Sequence, residues 1–315
     1  MPDKSLRDRH RRGLLRGLGA LSAALSCAAP DRAQAAASNA TIAAKPIPSS
    51  GEHLPVVGLG SWITFNVGND PIARTACADV MRAFVGAGGR LIDSSPMYGS
   101  AQGVIGEGLG RIGRAVPVFA ADKVWISSGP RGPEQIEQSR RLWNLPRFDL
   151  LQVHNLLGWE AHLPTLFAMK AAGRLRYVGI TTSEGRRHRE IEAIMRSQPI
   201  DFVQVTYNLL DREVEERILP LARERGIAVI ANRPFREGAL LRGLERHRLP
   251  PWAIELGCDG WAQFALKFIV SHPAVTCAIP ATSSVAHVRQ NLEAASGSLP
   301  DASMRQRMAS HVAAL

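Results

Sequence analysis

Short apolar runs alternate with segments of helical period along most of the chain. The runs are four to seven residues long, and few of them alternate polar with apolar positions. Strands of a parallel sheet have this pattern, because both of their faces are covered. The eight predicted strands are Leu54–Leu59, Arg90–Asp93, Val116–Ala121, Phe148–His154, Leu175–Thr181, Asp201–Thr206, Ile227–Ala231 and Thr276–Ile279.

Segments with helical period lie between these runs. Pro71–Gly86 and Glu213–Arg225 each place apolar side chains on one face, and Gly173 and Gly226 stand where a helix is expected to end. Eight strand–helix units in this order predict an α/β fold of the (β/α)8 TIM-barrel type. The alternative is an open doubly wound sheet. No change of composition divides residues 51–315, which are predicted to be the barrel domain.

The composition agrees with this prediction and limits the partners. Of the 315 residues, 45% are hydrophobic, which is enough for the core of one large domain. The formal net charge is +10, but residues 1–35 contribute seven basic and three acidic side chains to it. The cluster Arg186–Arg189 is expected to be the solvated first turn of a helix, so we predict no nucleic-acid partner. No run reaches the ~18–20 uncharged apolar residues of a spanning helix, which argues against stable membrane insertion.

The first thirty-five residues have the pattern of an export signal. Arg11 and Arg12 precede the apolar run Gly17–Ala29, and small residues at 33–35 offer a cleavage site. This order is typical of a twin-arginine signal peptide. Residues 1–35 are therefore predicted to engage the twin-arginine export machinery and to direct the protein to the periplasm or another exported location.

Two alternatives for this leader stay open. One is a basic amphipathic helix that belongs to the fold, and the other is a lipid anchor on Cys27. Residues 36–50 are mostly small and polar, and we expect them to form a flexible tether to the barrel domain.

Chemically active side chains stand at the ends of three successive predicted strands. Asp93 ends the second strand and Tyr98 follows it, Lys123 follows the third, and His154 ends the fourth. Barrel chemistry lies at the carboxyl ends of the strands, and neighbouring strands are ~5 Å apart, so these groups are expected to share one pocket. Taken singly, each has an ordinary explanation, such as a turn cap or a surface lysine. Their joint placement favours a catalytic site.

Asp93 and Tyr98 form an Asp-x4-Tyr element that resembles a motif of the aldo-keto reductase family. The residues that extend the match within 54–295 are Gly99, Val104, Ile105, Gly106, Gly58–Trp62, Gly179–Thr181, Gln204–Asn208 and Ile279–Pro280. The chain is identified as a member of this family. The resemblance implies a barrel that reduces a small-molecule carbonyl substrate, an aldehyde or ketone, with NADP or NAD as cofactor.

The resemblance carries the family's catalytic tetrad to Asp93, Tyr98, Lys123 and His154. A carbonyl that accepts a hydride gains negative charge on oxygen, so a proton donor is needed, and Tyr98 is predicted to supply the proton. We expect the Lys123 ammonium to lower the pKa of this phenol and Asp93 to keep Lys123 charged. His154 is expected to orient the substrate carbonyl as a neutral imidazole.

The family's nicotinamide pocket carries over with changes. Gln204 is expected to hold the carboxamide, while Thr181 and Thr182 stand where a Ser-Asn pair is common. The usual ring-stacking tyrosine aligns with Asn232. The nicotinamide is therefore held less tightly or is covered by another aromatic side chain, for which Trp62 and Phe235 are the candidates.

The adenosine end matches the family only partly. Ala281 and His287 stand where Lys and Arg commonly bind a 2′-phosphate, so the choice between NADP and NAD stays open. The remaining predicted contacts to ribose, adenine or phosphate are Thr282, Gln290, Asn291 and Arg233.

Other motifs do not change this prediction. Gly108–Gly113 spells G-x-G-x-x-G, but it follows a helical segment and is expected to be a helix end. No histidine spacing indicates a metal site. Two alternative functions remain: a nucleotide-binding barrel without turnover, acting as a redox sensor or structural subunit, and a lyase or isomerase that uses Lys123 as a Schiff base.

Overall fold

The structure is a computed structural model that describes residues 42–113 and 117–315. The predicted leader, residues 1–35, lies outside the described residues, as does the first part of the predicted tether. The described residues belong to one compact unit that spans Ala40–Leu315.

Eight parallel strands form the central sheet, in the order in which they occur along the chain. A two-stranded antiparallel hairpin, β1 and β2, precedes them. The strands are β1 Ala44–Pro46, β2 His53–Pro55, β3 Leu59–Gly60, β4 Leu91–Asp93, β5 Phe119–Val124, β6 Phe148–His154, β7 Leu175–Thr181, β8 Phe202–Thr206, β9 Ala228–Asn232 and β10 Cys277–Ala278.

The sheet closes on itself. Parallel bridges join Val57 to Ala278 and Gly60 to Ala281, so the segment around β3 pairs with the segment around β10. The backbone amide of Gly58 donates to the Ala278 carbonyl at 2.8 Å. The predicted (β/α)8 barrel is therefore confirmed, and the open doubly wound sheet is excluded.

Helices connect successive strands and cover the outside of the barrel. They are α1 Pro71–Gly86, α2 Ala101–Ile112, α3 Gly132–Trp143, α4 Trp159–Ala171, α5 His188–Ser197, α6 Ile218–Arg225, α7 Ala239–Leu244, α8 Trp261–Val270, α9 Val285–Glu293 and α10 Ala302–Ala313. Local sequence sets their ends: Asp70 caps α1 by accepting from the Ile72 and Ala73 amides, and Gly226 ends α6 in the left-handed conformation. Within the described residues, no helix is both long and apolar enough to cross a membrane.

Large side chains fill the lower half of the barrel, at the amino ends of the strands. The Tyr177 ring lies 5.8 Å from Phe119 and 5.5 Å from Phe202, measured between centroids, and Leu91 and Leu150 pack with them without solvent exposure. Alternate residues of a strand point to the same side. Phe119 therefore shares its inward direction with Lys123 on β5, which places the ammonium above a packed apolar floor.

The start of the fold differs from the sequence prediction in two ways. The predicted strand Leu54–Leu59 is divided: His53–Pro55 pairs with Ala44–Pro46, and the barrel strand begins only at Leu59. The tether predicted for 36–50 is wrong where residues 44–50 are described. Ile47 is fully buried, and the Lys45 ammonium donates to the carbonyls of Val270, His272 and Val275, each at 2.7 Å.

Two other local predictions concern helices. Gly108–Gly113 lies at the end of α2, as expected for a helix end. Arg186 and Arg187 directly precede α5, where they form ion pairs with Glu184 and Glu190, so two of the three arginines of the basic cluster are paired with acidic neighbours.

Candidate active site

The four predicted catalytic side chains meet at the carboxyl ends of the barrel strands. The Lys123 ammonium lies 2.5 Å from Asp93 Oδ2 and 5.1 Å from the centroid of the Tyr98 ring. The rings of Tyr98 and His154 meet edge to face, with centroids 5.7 Å apart. Because β4, β5 and β6 are neighbours, their ends bring a carboxylate, a phenol, an ammonium and an imidazole into one cluster.

Asp93 is the centre of the hydrogen bonds beneath the pocket. Its Oδ2 accepts from Lys123, while its Oδ1 accepts from the amide of Gln204 at 2.9 Å and from that of Gln152 at 3.4 Å. Lys123 also donates to the Ser94 carbonyl at 2.8 Å. Burial is the largest single effect and lowers the pKa of Lys123. The charge of Asp93, its hydrogen bond and the nearby Tyr98 and Asp122 together outweigh burial, so the pKa lies above its ordinary value and the side chain is an ammonium at neutral pH.

The pKa of Tyr98 is set mainly by burial. Loss of water raises the pKa of this phenol, although the Lys123 ammonium opposes the change. As expected from the sequence, the charge of Lys123 lowers the pKa of Tyr98. The overall pKa of Tyr98 is nevertheless raised, because the effect of desolvation is larger. Tyr98 consequently remains a protonated phenol at neutral pH, the form that is able to donate a proton.

His154 is uncharged, and Ser95 defines which of its nitrogens carries the proton. Burial, followed by the charge of Lys123, lowers the pKa of His154 to about 3. Ser95 Oγ accepts from the Met97 amide at 3.2 Å and lies 2.7 Å from His154 Nδ1. Since the fully buried Ser95 has no other acceptor for its proton among the described residues, it donates to Nδ1. The His154 proton is therefore on Nε2.

The loop that carries Tyr98 is fixed at both ends. At its start, the Ser94 amide donates to the Ala121 carbonyl of β5 at 3.0 Å. At its end, the Ser100 amide donates to Asn66 Oδ1 at 3.0 Å. Gly99 has φ +60°, and a Cβ there would lie 2.3 Å from the Asn66 side chain, so glycine is required for this close approach.

The predicted nicotinamide residues lie on the opposite side of the mouth, at the ends of β7, β8 and β9. Asp93 holds the Gln204 amide nitrogen, so Gln204 Oε1 is directed away from Asp93, with contacts from Thr181 at 3.3 Å and Asn232 at 3.5 Å. Asn232 also donates to the Thr182 carbonyl at 2.9 Å. An amide acceptor beside hydroxyl groups is the donor and acceptor set that a carboxamide requires, so these residues fit a nicotinamide.

Asn232 is held by the ends of the strands rather than offered as a ring-stacking surface. Its Oδ1 accepts from Thr206 at 2.7 Å. Next to it, Arg233 forms ion pairs with Glu184 and Glu237, and its guanidinium lies 5.9 Å from the Trp62 ring. Trp62 thus lies near both this guanidinium and Tyr98, whose ring centroid is 6.4 Å away.

The other residues predicted for the adenosine end lie at the start of α9 and along it. Thr282 Oγ1 lies 3.5 Å from His287 Nδ1, and Ser284 caps α9 through the His287 amide. Asn291 is buried on the inner face of α9, whereas Gln290 is exposed. Gln290 lines a groove with Leu241, Glu245 and Trp261.

Two features bear on alternative chemistry. Among the described residues, no group of three or more His, Cys, Asp or Glu side chains is arranged to hold a metal ion. The three cysteines of this part of the chain, Cys77, Cys258 and Cys277, are free and buried.

Comparison with known proteins identifies the family. Residues 56–311 match the model of the aldo/keto reductase family, and the chain belongs to this family. The carbonyl oxidoreductase that uses NAD(P)H, predicted from the sequence, is confirmed as the enzyme class.

Individual relatives agree with this assignment. The chain is 29% identical over 245 residues to methylglyoxal reductase YeaE of Escherichia coli, covering 76% of this chain and 84% of that protein. It is 25% identical over 230 residues to the NADH-specific methylglyoxal reductase of Escherichia coli, covering 62% and 68% respectively. Among solved structures, an aldo-keto reductase from Klebsiella pneumoniae in complex with NADPH has a TM-score of 0.70 at 24% identity, covering 83% of this chain and 92% of that one.

Two polar side chains of the site were not identified from the sequence. Ser95 was visible only as part of a Ser-Ser-Pro turn, and Gln152 only as a polar residue within an apolar strand. A polar residue at an inward position of a buried strand was the available signal, because burial without a partner is costly.

Proposed function

We propose that Tyr98 donates the proton when this enzyme reduces an aldehyde or ketone. The observation that carries the proposal is the cluster in which the half-buried Tyr98 ring lies beside both the Lys123 ammonium and the neutral His154 ring. A protonated phenol at the mouth is able to transfer its proton as charge develops on the carbonyl oxygen. Lys123, which Asp93 keeps charged, then stabilises the resulting phenolate.

We assign the placement of the carbonyl oxygen to His154. With its Nδ1 engaged by Ser95, the Nε2–H is left to donate to that oxygen beside the Tyr98 hydroxyl. Two donors at one oxygen favour the geometry in which negative charge develops there. Because His154 is neutral, it orients the oxygen without competing with Tyr98 as the acid.

We assign the cofactor to the opposite side of the mouth. Gln204 Oε1 accepts from the carboxamide of the nicotinamide, and Thr181 and Thr182 offer hydroxyl groups to it. When bound, the reduced nicotinamide supplies the hydride. Arg233, Thr282 and Asn291 bind the rest of the nucleotide, and the missing cations at Ala281 and His287 let NADH serve as readily as NADPH. Gln290 is exposed, and we keep it as a candidate contact to the adenosine part of the nucleotide.

A small 2-oxoaldehyde of the methylglyoxal type is the substrate class we propose. Two similar reductases from Escherichia coli bear the name methylglyoxal reductase. In this chain, Trp62 and the exposed Met97 narrow the approach to Tyr98, which suits a compact carbonyl.

The test is oxidation of NADH or NADPH by the purified enzyme with methylglyoxal and larger aldehydes. Tyr98→Phe is expected to lower kcat by ~10²–10⁴, because the proton donor is lost, while nucleotide affinity stays unchanged. Tyr177→Phe is the matched control, since Tyr177 bonds to Ser50 and Glu52 at the other end of the barrel. Equal kcat in wild type and Tyr98→Phe would exclude Tyr98 as the proton donor.

The second candidate is a barrel that binds nucleotide without turnover. Asn232 in place of a stacking ring and the neutral Ala281 and His287 are the observations that favour it. Calorimetry that detects nucleotide binding, combined with no conversion of any carbonyl tested, would support this candidate over the reductase.

We further propose that residues 1–35 are a twin-arginine export signal that brings the enzyme to the periplasm. The support is the order of Arg11 and Arg12, the apolar run and the small residues at 33–35. Replacing both arginines by lysine is expected to keep the full-length protein in the cytoplasm, as measured by cell fractionation. Unchanged export of this variant would refute the proposal, and lipid labelling that requires Cys27 would favour an anchor instead.

A further inference from the structure

A buried polar cluster lies directly behind the catalytic lysine, on the outer face of the barrel. Asp122 and Lys123 are consecutive on β5 and therefore point to opposite sides of the sheet. Asp122 Oδ2 accepts from Gln102 Nε2 at 2.7 Å, and the same nitrogen donates to Ser139 Oγ at 2.9 Å. The three side chains are 0%, 4% and 1% exposed, respectively.

The cluster is costly for the fold. Asp122 has two oxygens without an ion-pair partner, since Oδ1 accepts only from the Lys123 backbone amide at 2.7 Å. Burial raises the pKa of Asp122 to about 7, against the effects of this amide, the Lys123 charge and Gln102. An apolar residue would fill the same space without this penalty, so a role other than core packing accounts better for the carboxylate.

Its position relates the cluster to Tyr98. The loop that carries Tyr98 leaves β4 at Ser94 and enters α2 at Ala101. Lys123 holds the start of this loop through the Ser94 carbonyl at 2.8 Å. Gln102 lies in the first turn of α2, and its bond to Asp122 holds the end of the loop. Two consecutive residues of β5 thus fix both ends of the segment that presents the phenol.

Other groups at the end of the loop do not replace this contact. Ser100, the residue before α2, forms no side-chain capping bond to the helix. Its amide donates to Asn66 in the loop after β3, an exposed contact that does not involve β5. The Gln102–Asp122 bond is therefore the buried side-chain link between α2 and the strand that carries Lys123.

We propose that Asp122 and Gln102 are positioning residues that hold the Tyr98 hydroxyl at a fixed distance from the Lys123 ammonium. The proposal rests on the proposed role of Tyr98 as the proton donor. Without the link, α2 and the loop are free to shift relative to β5, and a displacement of ~1 Å at the reacting atoms is enough to lower the rate up to ~100-fold.

The main test compares Gln102→Met, Asp122→Asn and Asp122→Leu. Gln102→Met and Asp122→Leu remove the link, so kcat is expected to fall by ~10- to 100-fold with KM and nucleotide affinity unchanged. Asp122→Asn keeps the link, because the Gln102 amide is able to rotate and accept from the new side-chain nitrogen. Its kcat is expected to stay within about threefold of the wild-type value.

Gln263→Met is the matched control. Gln263 is 4% exposed, like Gln102, and also makes two side-chain hydrogen bonds, to the Asp259 amide and to Glu293. Its loss is expected to lower Tm by a similar amount while leaving kcat at the wild-type value. If Gln263→Met lowers kcat as much as Gln102→Met, the effect is general destabilisation and the inference fails.

The pH profile separates position from charge. The charged groups that act on Asp122 are Lys123 and Asp93, and ionised Asp122 raises the pKa of Tyr98. Asp122→Asn is therefore expected to move the alkaline limb of kcat/KM to lower pH at a nearly unchanged plateau. Gln102→Met is expected to lower the plateau and, because the phenol moves away from the ammonium, to shift that limb to higher pH.

A readout without turnover distinguishes failure of this inference from failure of the proposed function. The chain has three tyrosines, so the alkaline titration of tyrosinate absorbance in wild type minus Tyr98→Phe reports Tyr98. Opposite shifts in Asp122→Asn and Gln102→Met would support positioning even if no carbonyl is reduced. An active wild type whose kcat and Tyr98 titration are both unaffected by Gln102→Met would overturn the inference and leave the function intact.

Discussion

The ion pair between Asp93 and Lys123 allows a direct test of how the site affects stability. Their side chains are 2% and 0% exposed, and the nitrogen and oxygen are 2.5 Å apart. In Asp93→Leu, Lys123 keeps only the Ser94 carbonyl as a partner. An uncompensated buried charge typically costs ~3–5 kcal/mol of unfolding free energy, which corresponds to a loss of Tm on the order of 10 °C.

The companion variants are expected to differ in a defined order. Lys123→Met leaves Asp93 with the amide donors of Gln204 and Gln152, so it should lose less stability than Asp93→Leu. The double variant, Asp93→Leu with Lys123→Met, removes both charges and is expected to regain most of the loss, because apolar replacements of a buried pair are often neutral or stabilising.

The dependence on pH follows from the pKa of Lys123. In wild type the charge of Asp93 contributes to raising this pKa above the ordinary 10.5. The ion pair therefore contributes its full stabilisation below pH ~10.5, and this stabilisation is lost as the pH rises through the raised pKa of Lys123. In Asp93→Leu, burial is the largest remaining effect, and it is expected to lower the pKa because Tyr98 and Asp122 oppose it less than Asp93 does. The unfolded chain then binds the extra proton, so the deficit should be largest at neutral pH and shrink as pH approaches ~10.

Thermal unfolding of the four proteins at pH 7 and near pH 10 is the assay. A deficit of Asp93→Leu that is the same at both pH values would contradict the assignment of a buried, uncompensated ammonium. A double variant as unstable as Asp93→Leu would show that lost packing, and not charge, causes the deficit.

Two further predictions concern other side chains of the site. Ser95→Ala is expected to lower kcat/KM about tenfold, the equivalent of one hydrogen bond of ~1.4 kcal/mol. The same variant is expected to have a mixture of His154 tautomers, which ¹⁵N chemical shifts of the imidazole detect. Ser95→Thr should restore both the rate and the single tautomer, and an unchanged tautomer in Ser95→Ala would contradict the assignment. Combining Ala281→Lys with His287→Arg is expected to raise the preference for NADPH over NADH by about tenfold or more, because it adds charge-assisted hydrogen bonds to the 2′-phosphate. An unchanged ratio of kcat/KM for the two nucleotides would show that the 2′-phosphate binds elsewhere.

The sequence was informative for residues whose function depends on their position at the end of a particular strand. Asp93, Lys123 and His154 lie at or next to strand ends in the apolar pattern, and parallel strands in a barrel bring such ends together. Lys45 gave no comparable signal. It lies in a small, polar stretch, and its acceptors are backbone carbonyls more than 220 residues away along the chain.

Electrostatic details required the structure. The net pKa of Tyr98 depends on the balance between desolvation and the Lys123 charge, and the residue types alone give only the second of these. The tautomer of His154 depends on the single contact with Ser95. Hydrogen bonds of this kind depend on the geometry of loops. The periodicity of apolar residues along the sequence gives no information about that geometry.

The packed floor of the barrel determines how molecules reach Tyr98 and leave it. Phe119, Tyr177 and Phe202 block the lower interior, and the β1–β2 hairpin lies across that end. Within the part of the chain that the structure describes, the interior of the barrel is therefore closed at this end and open only at the carboxyl ends of the strands. In the placement proposed above, nucleotide and carbonyl compound enter through this same opening, so we expect the ligand that binds deeper to arrive first and to leave last.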